Sequence, residues 1–205
     1  MSEQASVTQN SNQFGISAIF WVTFTFGLGL SYLQSMRSHE IVIGGLTSLA
    51  VGMLVGAVIG KLSSRTGDGF FWGTLIAVFA YMSVIGISNY DAGLRLAWAT
   101  VGAFTGAISG TLLDREGTAK IQRSDFKTAL IAAVAAFVIM FTYASFGRMT
   151  FDLRLDQYAA PLIGIAVVFF VKLIIWVENQ HIMPRYITAT WLLVIILVGN
   201  TFTNS

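Results

Sequence analysis

The stretch VGMLVGAVIGKLSSRTG, Val51–Gly67, is written again fifty residues later as VGAFTGAISGTLLDREG, Val101–Gly117. Eight of the seventeen positions are identical. They include three glycines at four-residue spacing in each copy (Gly52, Gly56, Gly60 and Gly102, Gly106, Gly110), then an arginine and a glycine at the same offset (Arg65, Gly67 and Arg115, Gly117). An apolar segment with a small residue at every fourth position is the packing face of a membrane helix, because two backbones approach closely where no side chain stands between them. The six glycines are therefore the candidate helix-packing residues.

Composition points the same way. The chain is 55% hydrophobic and 11% charged, with a mean hydropathy of +0.72, whereas charged residues make up about a quarter of a water-soluble domain. This is the composition of a membrane protein. The net charge of +2 comes from bases scattered between apolar blocks, so no nucleic-acid partner is expected. Without cysteine there are no disulfides, thiol nucleophiles or thiolate metal sites. The opening MSEQASVTQNSNQ has no Lys or Arg ahead of the first apolar block and is not read as a cleaved signal. Residues 1–13 are expected to be a disordered tail and 14–205 a single transmembrane domain.

A helix needs about 20 residues to cross about 30 Å of hydrocarbon. Apolar blocks of that order occur at Phe14–Met36, Ile41–Gly60, Gly69–Tyr90, Leu96–Leu113, Thr128–Gly147, Gln157–Val177 and Tyr186–Phe202, the sixth interrupted by Lys172 and the seventh shorter. The predicted fold is all-α, a polytopic transmembrane helical bundle of about seven spans. Because both copies of the repeat close on the same phrase, spans 1–2 and 3–4 (Phe20–Gly67 and Phe71–Gly117) are predicted to be two parallel duplicated helical hairpins. Seven spans place Lys61, Arg65, Arg115, Lys120, Arg123, Lys127 and Arg185 on one side and Arg37, Arg95, Arg148 and Arg154 on the other. The richer side is cytoplasmic by the positive-inside rule, which puts the N-terminus and the 114–127 loop inside and the C-terminus outside a plasma (inner) membrane. Trp21, Trp72, Trp176 and Tyr186 are expected at that same inner interface.

The small-residue stripe of the second span runs Gly44, Ser48, Gly52, Gly56, Gly60, Ser64. Each four-residue step advances about 40° around the helix, so the stripe wraps about 200° and needs two neighbours or one that crosses it obliquely. Alanine rows for such neighbours lie at Ala99, Ala103, Ala107 and at Ala129, Ala132, Ala133, Ala136.

Chemistry is sparse. No Asp, Glu or His falls inside any of the seven blocks, and His39 and His181 are separated by five of them, so they face opposite sides and cannot share a metal. The motifs of serine hydrolases, zincins, P-loops and dinucleotide-binding folds are missing, and neither enzyme activity nor a cofactor or metal is expected. Lys172 is the one formal charge within an apolar block, and so the candidate for contact with an anionic solute if it faces the bundle, or with lipid if it snorkels to the basic end. Phe151–Asp156 alternates apolar and charged residues and is predicted to be extended at the outer interface. The GxxxGxxxG run resembles the glycine-zipper phrase of many unrelated membrane proteins. The expected function is a non-enzymatic structural or assembly component, with the lipid bilayer and a second copy or another membrane protein as partners. The alternative is a small-solute channel or carrier in which glycine faces provide mobility.

Overall fold

The computed structural model describes residues 39–84, 92–114, 120–146 and 153–180, and among these all regular structure is helical. Five helices follow in order: α1 His39–Leu62, α2 Thr66–Ser83, α3 Ala92–Leu112, α4 Arg123–Phe146 and α5 Leu153–Asn179. They correspond to the second through sixth apolar blocks. The first and seventh blocks, the N-terminal tail and both chain ends lie outside the described residues. So does the superposition of the first hairpin on the second.

Three segments are long and apolar enough to cross a membrane: Ile43–Leu62, Arg123–Ser145 and Tyr158–Asn179, of 20, 23 and 22 residues. These belong to α1, α4 and α5, which turn bulky apolar side chains outward, among them Leu54, Val58, Leu130, Val134, Phe141 and Leu162. Such faces are compatible with an integral membrane protein, since lipid tails solvate them as well as a protein core would. Helices α2 and α3 expose fewer large apolar groups because they meet protein instead. Fourteen of the 21 residues of α3 are buried, and α3 packs against all four other helices. Its buried hydroxyls Thr105, Ser109 and Thr111 donate back to the carbonyls of Val101, Thr105 and Ala107, which satisfies them without a partner helix.

Glycine contacts give the helix directions. Passing up α1 from Gly52 through Gly56 to Gly60, the neighbouring residues on α2 descend from Thr74 through Gly69 and Phe70 to Thr66, so the two helices are antiparallel. Gly102, Gly106 and Gly110 of α3 likewise descend α2 from Ile76 and Ala80 to Trp72. Helices α1 and α3 therefore run parallel to each other with their glycine faces on α2. The three meet at Gly73, where a Cβ would stand 2.9 Å from the Gly56 Cα, 3.0 Å from the Gly52 carbonyl oxygen and 3.3 Å from that of Ala103. Helices α4 and α5 form a second antiparallel pair, with Gly164 against Ala132 and Ala133 and Lys172 against Asp125.

Three residues join α1 to α2. The Arg65 N–H donates to the Gly60 carbonyl at 2.7 Å and the Ser64 N–H to that of Lys61 at 3.2 Å, the paired bonds of a Schellman turn. Ser64 takes the left-handed position with φ 56°, where glycine is usual.

Two expectations are corrected. Residues 153–156 open helix α5 and are not extended. Alternation over six residues is a weak signal, and a helix satisfies its own backbone at a membrane edge where a lone strand cannot. Trp72, expected at the interface, is wholly buried, because the missing side chains of Gly106 and Gly110 open a slot for it on α3.

Candidate functional site

Each predicted packing glycine lies where two helices approach. A Cβ at Gly52 would stand 2.7 Å from the Thr74 Cα, one at Gly56 2.9 Å from the Phe70 Cα and within clash distance of the Gly69 carbonyl, and one at Gly60 2.7 Å from the Thr66 Cα. These are backbone atoms and cannot step aside. On α3 the obstacles are mixed. Gly102 and Gly106 face the carbonyls of Ile76 and Trp72 together with the side chains of Ala80 and Ile76, and Gly110 faces the Trp72 indole. The alanine rows are buried too: Ala99, Ala103, Ala107, Ala129, Ala132, Ala133 and Ala136.

Charge gathers where α1, α3 and α5 end and α2 and α4 begin. No acid was expected inside a span, yet Asp68 and Asp125 sit in the first turns of α2 and α4, both almost completely buried. The reason is that α2 and α4 start before the apolar blocks do, at Thr66 and Arg123 in place of Gly69 and Thr128. An acid in a first turn is stabilised by the positive end of the helix dipole and by unpaired backbone N–H groups. Asp125 accepts from the Gln122 N–H at 2.7 Å, half of a capping box.

Each buried acid meets a base. The Arg65 Nε donates to Asp68 at 3.0 Å, and its Nη1 donates to the carbonyls of Thr111 at 2.8 Å and Leu113 at 2.7 Å. One side chain from the α1–α2 turn thus caps the C-terminus of α3. Lys172, the candidate for solute or lipid contact, reaches from α5 to the start of α4, where its Nζ donates to the Asp125 carboxylate and, at 2.9 Å, to the Lys120 carbonyl. Its ammonium is thus held by two acceptors of the same chain. Sequence reasoning missed both partners of these bases. The spacing from each acid to its helix start was the available signal, since both stand at the third helical position.

At the opposite end, Arg95 in the first turn of α3 lies beside the buried Tyr81 hydroxyl of α2. That hydroxyl lies against Gly44 of α1, where any side chain would collide with it. Of the two arginines at the same offset in the repeat, Arg115 lies outside the described residues, as does most of the 114–127 loop's first half. Among the described residues no group of three or more His, Cys, Asp or Glu side chains is placed to hold a metal.

The chain matches no protein-family model, no curated protein and no solved structure. The class that its helices define is an all-helical bundle compatible with an integral membrane protein.

Proposed function

We propose that the protein is a multi-pass integral membrane protein serving as a non-enzymatic structural or assembly component. The observation that supports this most is how the interior is filled: glycine and alanine faces bring backbones together, and among the described residues both buried acids, Asp68 and Asp125, are paired with a base of the same chain. An interior of this kind offers a solute little to replace its hydration, while the outward faces of α1, α4 and α5 offer wide apolar surface to lipid or to another membrane protein. The end bearing Lys61, Lys120, Arg123 and Lys127, all exposed, is the cytoplasmic one in this reading, in a plasma (inner) membrane.

Two measurements on the full chain test it. Copies carrying different tags should co-purify when expressed together, and not when mixed after extraction. Proteoliposomes should swell in isotonic glycerol, urea and potassium acetate no faster than empty vesicles. A chain that purifies as a monomer and speeds the swelling would favour the channel or carrier.

A further inference from the structure

The outward apolar faces of α1, α4 and α5 differ in how they finish at the end where Asp68 and Asp125 lie. The α1 face closes on one exposed base, Lys61. On α5 the base near that end, Lys172, is turned to Asp125 of α4. The α4 face opens with two bases, Arg123 and Lys127, both exposed and one turn apart on the same side of the helix. Among the described residues no acid engages either of them, and the one acid of α4, Asp125, is buried against Lys172.

Below these bases a single stripe runs down α4 at steps of three and four residues: Leu130, Val134, Phe137 and Phe141, each between 41% and 66% exposed. The rings of Phe137 and Phe141 stack with centroids 6.0 Å apart. From Leu130 to Phe141 the stripe rises about 16 Å, about half the thickness of a hydrocarbon core of about 30 Å. The far end of α4 carries no base in its last turn. Beside Arg123 and Lys127 the exposed Phe126 meets Phe169 of α5 edge-on at 6.5 Å, so aromatic rings stand at the level where charge gives way to hydrocarbon.

We propose that this face of α4 binds an anionic phospholipid of the leaflet on the Arg123 side, with Arg123 and Lys127 taking the headgroup phosphate and the stripe from Leu130 to Phe141 taking an acyl chain. The site rests on the membrane reading above and adds a lipid class to it. Charge selects the occupant, because two bases with no acid beside them favour a negative headgroup over a zwitterionic one. Length selects it too, since the stripe matches the depth of one leaflet. A second copy packed face to face about an axis along the membrane normal would instead set four bases against one another.

The test is thermal melting of the full-length protein in neutral detergent, titrated with phosphatidylglycerol or with phosphatidylcholine of the same acyl chains. The phosphatidylglycerol midpoint should lie at least about tenfold lower. Arg123→Gln combined with Lys127→Gln, both at exposed positions, should bring the two midpoints together. Arg123→Lys, which keeps the charge, should retain the preference, and Lys61→Gln, at the same end of α1, should leave it unchanged. Inorganic phosphate at the same concentrations should give no shift, because it has no chain to lay on the stripe. Equal midpoints in wild type, a preference that survives the double substitution, or an equal shift with inorganic phosphate would each overturn the proposal. So would loss of co-purification of tagged copies in the double variant when wild type shows no lipid preference, which would give the face to a protein partner. Alkaline carbonate extraction of membranes separates this site from the reading it rests on: a chain released by carbonate refutes both, whereas a chain retained without lipid preference refutes the site alone.

Discussion

The glycine face of α1 meets backbone, whereas the matching face of α3 meets side chains as well. Against Gly52, Gly56 and Gly60 stand the main chain of Thr66, Gly69, Phe70 and Thr74, and the approach is reciprocal, since a Cβ on Gly69 would lie 2.5 Å from the Gly56 carbonyl oxygen. Against Gly106 and Gly110 stand Ile76 and the Trp72 ring. The two helices also end differently. Helix α1 closes in a Schellman turn through Ser64, while α3 has its last carbonyls capped by Arg65, which belongs to the first copy. Similar phrases thus perform unlike tasks because one helix, α2, lies between them: the first copy packs on the helix that follows it and the second on the helix that precedes it.

The sharpest break in the comparison is Gly56→Leu. Backbone on both sides cannot yield, so α1 and α2 must separate, and destabilisation of about 3 kcal/mol or more is expected. In a bilayer nothing offsets it, because lipid solvates the parted helices equally well. Arg65→Gln comes next, at about 2 kcal/mol, since it leaves Asp68 buried without its base and two carbonyls of α3 without a donor. Gly110→Ala should cost less, about 1 kcal/mol, because the obstacle is a ring that can tilt. Ser64→Gly should raise stability by about 1 kcal/mol by relieving the left-handed serine, and the equivalent residue of the second copy, Asp114, offers no such gain because its φ is not positive. Leu54→Ile, on the outward face of α1, should change stability by less than about 0.5 kcal/mol. Detergent melting of the purified variants measures all five, and equal losses for Gly56→Leu and Gly110→Ala would erase the distinction between the faces.

Much of this was legible in the residues. The apolar blocks located five helices because uncharged length is a local property, and the four-residue glycine spacing marked faces that lie at close approach. The wrap of the α1 stripe called for two neighbours, and α1 does pack on both α2 and α3. What escaped was long-range or lay at helix ends. Requiring uncharged runs trimmed Asp68 and Asp125 from the helices that begin with them. The pairing of Lys172 with Asp125 joins residues 47 apart, and no local pattern carries that. Trp72 read as an interfacial aromatic because a tryptophan near a helix start usually is one. Its slot is made by glycines on another helix.

The central claim is that the α1 glycine face packs on α2 within one chain, and a crosslink tests it most directly. The chain has no cysteine, so the pair Ser48→Cys and Ala77→Cys can be introduced without interference and without loading a packing glycine. Both positions are buried, and the Ala77 Cβ lies beside Gly52, one turn along α1 from Ser48, so the two thiols share the contact between α1 and α2. Mild oxidation in native membranes should give an intramolecular disulfide, seen as a monomer whose mobility shifts on reduction, at a yield independent of protein density in the membrane. A disulfide-linked dimer, or no crosslink while a Leu54→Cys control reacts freely with a maleimide, would contradict it.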